Sequence, residues 1–143
     1  MEGDGVIDAL ESLAVGAVAV TTLSLAQAGV ELTFAQWRVL MILADTPDGA
    51  TVGEIAGRIG SAMSPASRLV ARMRDHGMVQ TRKDPQDHRA TRVQLSDEGW
   101  AIRDRVLARR RELLSIAIAP LEPLEPAARA PLDRLAAALR SVG

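Results

Sequence analysis

Apolar residues recur along this chain with two different periods, and the change from one to the other marks out its elements. From Val6 to about Ala28, Leu10, Leu13, Ala17, Val20 and Ser24 recur at three and four, which predicts a helix closed by Gly29 as its C-terminal cap. Val15, Val18, Leu23 and Leu25 put apolar groups on its other faces, so the helix needs cover on several sides. In a chain of 143 residues, a second copy of the protein is the expected cover.

The next helix starts at Thr33, an N-cap with Gln36 in the reciprocal position, and carries Phe34, Trp37, Val39, Leu40, Ile42 and Leu43 before the run Asp45-Thr46-Pro47-Asp48-Gly49 ends it. Phe34 and Trp37 fit core packing, with the lining of a ligand cavity as the alternative. Thr51 and Glu54 repeat the capping pattern ahead of a short third helix that turns Val52, Ile55, Ala56 and Ile59 inward and stops at Gly60. A fourth helix runs from about Met63 to His76, and Ala66, Leu69, Val70 and Met73 at helical spacing define its buried face. The opposite face carries Ser64, Arg68, Ala71 and Asp75, flanked by Ser67 and Arg72, before Gly77 closes the helix. Small polar residues with Arg are what a helix needs to enter a major groove.

At Met78 the period becomes two. Val79 and Thr81 precede a charged turn from Arg82 to Arg89, and Thr91, Val93 and Leu95 come after it, which predicts a two-stranded ribbon with a basic tip. Such a hairpin is marginal alone and must lean on the helices. Helix, turn, helix and hairpin in this order predict a mainly α fold with a small β-hairpin wing, the winged helix-turn-helix. Ser96 then caps a long helix reaching about Ala119, with Asp97 and Glu98 in its first turn and an apolar series Ile102, Val106, Leu113, Leu114, Ile116 and Ile118 among the arginines 103, 105 and 109–111. Pro120, Pro123 and Pro126 punctuate the segment beyond that helix. A last helix with Pro126 at its first position would carry Leu132, Leu135, Ala136 and Leu139, and Pro131 should kink or split it.

Composition changes this picture in few places. With 48% hydrophobic and 24% charged residues, the chain reads as one domain, or one domain with helical extensions. A net charge of −1 argues at first against nucleic acid, but its distribution argues otherwise. Between Arg58 and Arg92 eight basic residues face three acidic ones, a local +5 that leaves −6 for the remainder. The absence of cysteine removes disulfides, thiolate metal sites and thiol redox sensing, and His76 and His88 alone do not make a metal centre. No metal or cofactor is called for. Neither a paired His and carboxylate at catalytic spacing nor a Gly-rich phosphate loop is present, so the chain is not expected to be an enzyme. Ser12 to Val30 holds nineteen residues without a charge, close to a membrane span. Five polar residues interrupt it and neither flank carries a basic anchor, which favours a buried interface helix in a cytoplasmic protein with no membrane partner.

The chain resembles the MarR family of bacterial transcriptional regulators. The likeness runs from Leu32-Thr-x-x-Gln36-Trp37 through Thr51-Val52-x-Glu54-Ile55-Ala56 and Ser67-Arg68-Leu69-Val70 to Asp84-Pro85-x-Asp87-x-Arg89, and ends with Val93-x-Leu95-Ser96-x-x-Gly99. The wing signature, Asp-x-Arg followed by Ser-x-x-Gly, is its most specific part. The resemblance implies a homodimer held by a helical region from 1–30 and 97–143, with a winged helix-turn-helix from 31–96 that binds double-stranded DNA at a pseudo-palindromic operator. It also implies that Arg89 enters the minor groove with Asp87 helping to hold it. The expected DNA-binding set is Ser64, Pro65, Ser67, Arg68 and Arg72 on the fourth helix, with Arg82, Lys83, Asp87 and Arg89 in the wing. A small apolar or aromatic effector is expected in the cleft between the winged helix and the dimer helices, near Phe34, Trp37 and Leu40, with release from DNA as its outcome. The alternative is a winged helix used for protein contact, without sequence-specific DNA binding.

One stretch departs from the family pattern. Ala62-Met63-Ser64-Pro65 places few hydrogen-bonding side chains at the head of the fourth helix. Either Ser64 is the N-cap and Pro65 the first helical residue, or the helix starts at Ala62 with Pro65 still in its first turn.

Overall fold

The helix starts are built by the side chains at their caps. In the computed structural model, which describes residues 2–121 and 126–142, Thr33 Oγ1 accepts the Gln36 N–H at 3.2 Å while Gln36 Oε1 accepts the Thr33 N–H at 2.9 Å. Thr51 and Glu54 make the same reciprocal pair at 3.2 and 2.9 Å. These boxes start α2 (Phe34–Ala44) and α3 (Val52–Ile59). They follow α1 (Glu2–Gln27), which begins earlier than the apolar pattern suggested, and Gly29 after it takes a left-handed φ of +69°.

α4 spans Met63–Asp75 and starts at Ala62, which makes no side-chain cap bond. Of the two starts the sequence left open, this is the second. Pro65 is the third helical residue, where its missing N–H would have had no carbonyl to bond. Ala66, Leu69, Val70 and Met73 are its buried residues, the face read from the spacing.

After α4 come β2 (Val79–Lys83) and β3 (Thr91–Leu95), paired antiparallel with Thr81 opposite Val93. The expected two-stranded ribbon gains a third strand, β1 (Ala50–Thr51), which pairs with β3 and gives the order β1-β3-β2. Two residues hidden between a turn and a helix cap carry no period of their own, so pattern alone did not reveal them. β1 seats the hairpin on the connection between α2 and α3.

α5 (Asp97–Ile118) is next, capped by Ser96, whose Oγ accepts the Gly99 N–H at 3.0 Å. The last helix, α6, spans Arg129–Val142 and is preceded by a 3-10 turn at Pro126–Ala128. Pro126 thus opens the turn and not the α-helix, and Pro131, the third residue of α6, stands in a first turn where it neither kinks nor splits it. Pro123 lies outside the described residues.

The core gathers Trp37, Leu40 and Leu43 of α2, Ile55 of α3, Leu69 and Met73 of α4, Val79 and Val93 of the sheet, and Ile102 and Val106 of α5. α1 joins it only at its C-terminal end, where Thr21, Ser24 and Leu25 are buried against the molecule and Gln27 Oε1 accepts from Arg109 Nε at 2.7 Å. Upstream, Val6, Ile7, Leu13, Val15 and Val18 are exposed, as are Leu114, Ile116 and Ile118 of α5 and Leu132 and Leu139 of α6. By length and composition Gly3–Gln27 could also cross a membrane, although its last turns belong to the protein core.

Candidate nucleic-acid interface

Two surfaces carry the residues that the sequence singled out, the outer face of α4 and the tip of the wing. On α4, Ser64, Ser67, Arg68 and Arg72 are exposed, while the buried face holds the helix against the core. Arg68 donates from a terminal guanidinium nitrogen to Ser64 Oγ at 2.8 Å, one turn back. That contact keeps the guanidinium along the helix face and leaves its other donors outward.

Pro65, Arg72 and Leu69 of α4 also form one wall of a cleft of about 400 Å³, with Phe34, Arg38 and Ile59 opposite. Phe34 is 47% exposed there. Trp37 and Leu40, the other two residues placed near a ligand cleft, are 3% and 0% exposed and belong to the core. Among the described residues, no three or more His, Asp or Glu side chains gather as a metal site would require.

The wing tip is shaped by a carboxylate that sequence reasoning gave no role. Asp84 Oδ1 accepts the backbone N–H of Gln86 at 2.8 Å and of Asp87 at 3.4 Å, while Oδ2 accepts Arg92 Nε at 2.6 Å. The Asp84 N–H donates to Ala90 O at 3.0 Å, and the Ala90 N–H to Asp87 O at 2.9 Å, which closes the turn. The Asp87 carboxylate accepts the Arg89 backbone N–H at 3.0 Å, so it fixes the main chain that presents Arg89. Among ion pairs of the described residues, the one inside the wing is Asp84 with Arg92. Hydrogen bonds from the Gln86 N–H and then from Arg92 hold the Asp84 carboxyl below the ordinary carboxylate value, because both favour its charged form. Arg92 therefore belongs to the internal structure of the wing and is committed there. Arg82, Lys83 and Arg89 are exposed around the tip, with Arg82 also donating to Asp48 O at 3.1 Å and Lys83 to His88 O at 3.4 Å. The one signal for Asp84 in the sequence was its place before Pro85, since Asp at the head of a turn accepts from the backbone two residues on.

The junction from wing to α5 explains the Ser-x-x-Gly pattern. Ser96 donates its N–H to Met78 O at 3.1 Å and its hydroxyl to Gly77 O, tying the end of β3 to the end of α4. The first turn of α5 then lies so close to the link between α4 and β2 that a Cβ at Gly99 would come within 2.1 Å of Met78 O. Glycine is required there by the approach of two backbones.

The chain is similar to known proteins in both sequence and fold. The MarR family profile matches residues 30–90. The HTH-type transcriptional repressor IacR of Pseudomonas putida is 31% identical over 84 residues, which is 59% of this chain and 50% of that protein. The chain spans about half the length of the curated relatives it matches. A MarR family protein from Bacillus stearothermophilus has the same fold, with a TM-score of 0.79 at 21% identity over 98% of this chain and 94% of that one. So does CouR from Rhodococcus jostii RHA1, solved bound to p-coumaroyl-CoA, with a TM-score of 0.69 at 20% identity over 99% of this chain and 94% of that one. Residues 30–90 thus match the MarR family profile, and the chain shares the winged-helix fold of the solved MarR family protein.

Proposed function

We propose that the protein is a cytoplasmic, homodimeric transcriptional regulator that binds a pseudo-palindromic operator as a repressor. The observation that carries this reading is the pairing of an α4 face bearing Ser64, Ser67, Arg68 and Arg72 with a wing tip bearing Arg82, Lys83 and Arg89, all exposed on an otherwise acidic chain. α4 would enter the major groove and Arg89 the adjacent minor groove. Phosphates would pair with the remaining cations, and pairing of this kind makes affinity fall with salt.

The winged helix of residues 31–96 would do the reading, and the helices of 1–30 and 97–143 would hold two copies together. Val6, Ile7, Leu13, Val15 and Val18 on α1 and Leu132 and Leu139 on α6 are exposed apolar groups that a second copy would cover. A two-fold dimer would then set its reading heads about one turn of duplex apart, or a multiple of it.

A small apolar or aromatic effector would release the protein from DNA. CouR, which shares the fold, holds a ligand with an aromatic acyl group. In this chain the side chain that could meet such a group is Phe34, in the cleft it shares with Pro65 and Arg72 of α4. Occupancy there would press on the reading helix itself. The function is tested by titrating the dimer onto duplexes selected from a random-sequence pool at two salt concentrations. Salt-sensitive, sequence-selective binding is expected. Binding that does not respond to salt would leave the wing to a protein partner.

A further inference from the structure

The wing is fixed to the rest of the molecule through three successive backbone carbonyls. After α2 the chain turns through Pro47, Asp48 and Gly49, and each of these presents its oxygen to a side chain of the hairpin. Gln94 Nε2 donates to Pro47 O at 2.8 Å, Arg82 to Asp48 O at 3.1 Å and Arg92 to Gly49 O at 2.9 Å. Gly49 has a φ of +87°, and a Cβ there would meet Val93 O at 2.8 Å, so the turn lies directly against β3.

Arg92 is the member that faces both ways. One terminal nitrogen holds the Gly49 carbonyl and Nε holds Asp84, whose other oxygen gathers the N–H groups of Gln86 and Asp87. Asp87 in turn takes the N–H of Arg89. An unbroken line of hydrogen bonds thus runs from the helix-turn-helix, through Arg92 and Asp84, to the backbone that carries Arg89.

We infer that Arg92 and Asp84 form a clamp that sets the attitude of the wing tip, and that both are positioning residues for DNA although neither touches it. The inference rests on the proposed DNA-binding function. Its physical content is preorganisation, because a tip already held in its bound attitude loses less freedom on binding. The planar fork of Arg suits this task, since it offers donors in two fixed directions where Lys offers one compact charge.

Simple electrostatics and the clamp predict opposite outcomes for one substitution. D84N removes a negative charge from a surface meant to approach phosphates, and by charge alone it should tighten binding. The clamp requires it to weaken binding, because the Asn NH2 would set a donor against either the Arg92 donor or the N–H groups of Gln86 and Asp87. R92K keeps the charge and loses the fork, so it should weaken binding as well.

The experiment uses the absence of cysteine in the chain, which makes His88→Cys a unique attachment point for a nitroxide at the wing tip. Spin-label mobility is recorded without DNA in the parent, D84N and R92K dimers, each first shown by thermal melting to be folded. Affinity is measured on the unlabelled proteins with a duplex that the wild type selects from a random pool. Greater label mobility is expected in both variants, with affinity lower by about tenfold and the salt slope unchanged. Unaltered mobility in both, or D84N binding DNA more tightly than the parent, would overturn the clamp. If the wild-type protein shows no salt-sensitive DNA binding, the functional reading fails, while the mobility measurement still decides whether the clamp exists.

Discussion

Gly99→Ala sets two physical effects against each other at the hinge between wing and α5. Gly99 is buried in the first turn of α5, and replacing a helical glycine with alanine gains roughly 1 kcal/mol when nothing stands in the way. Here the added methyl would lie 2.1 Å from Met78 O, with Leu95 Cδ2 also at 3.3 Å. An ordinary contact begins at 3.4 Å, so α5 and the Met78 backbone would have to part by the difference, roughly 1.3 Å. That movement stretches the Ser96 N–H bond to the same carbonyl, now 3.1 Å. Overpacking costs about 1–3 kcal/mol and the strained hydrogen bond about 1 kcal/mol more, which outweighs the gain in propensity. A net loss of about 2 kcal/mol corresponds to a Tm lower by roughly 6–8 °C for a chain of this size. Gly57→Ala supplies the control, because Gly57 is an exposed residue of α3 and a Cβ there meets nothing within 4 Å. It should raise Tm by about 2–4 °C. Both are read by calorimetry at one fixed protein concentration, since dimerisation makes Tm concentration-dependent. A G99A melt equal to or above that of the parent would refute the argument from close approach.

Other outcomes are expected from the proposed interface and from the wing. R89A should weaken binding to all duplexes alike and reduce the salt slope by about one, whereas R68A should also relax sequence preference, as measured by titration against the selected duplex and point variants of it. V15E and L139E put charges on the exposed apolar faces of α1 and α6, and sedimentation should show a shift from dimer to monomer. The Asp84 carboxyl is depressed below its ordinary value of 3.8, so its contribution to wing order is complete above that value and lost as pH falls through the lower folded one. Wing-tip label mobility should therefore be level from neutral pH down to about 4, rise only below 3.8, and lack that step in D84N.

The division between what was legible in the sequence and what was not follows the reach of the interactions. Thr33 with Gln36, Thr51 with Glu54, the buried face of α4 and the cap at Ser96 all depend on groups within one or two turns of each other, and the pattern alone specified them. The basic tip of the wing and the serines and arginines of α4 were legible for the same reason. Contacts that join distant residues were not. Arg92 and Gly49 lie 43 positions apart, so Arg92 counted in the sequence as one more surface cation, and folding committed it to Asp84 and the 47–49 turn. Phe34 and Trp37 were read alike, as core residues first and cleft residues second, and it took the fold to separate them, with Trp37 and Leu40 in the core and Phe34 at the surface. Local spacing determines which faces are apolar, where helices start and which residues are charged. Only the tertiary structure decides which backbones come close enough to demand glycine at 49 and 99 and which charges are already spoken for, because those outcomes depend on distances that no local period encodes.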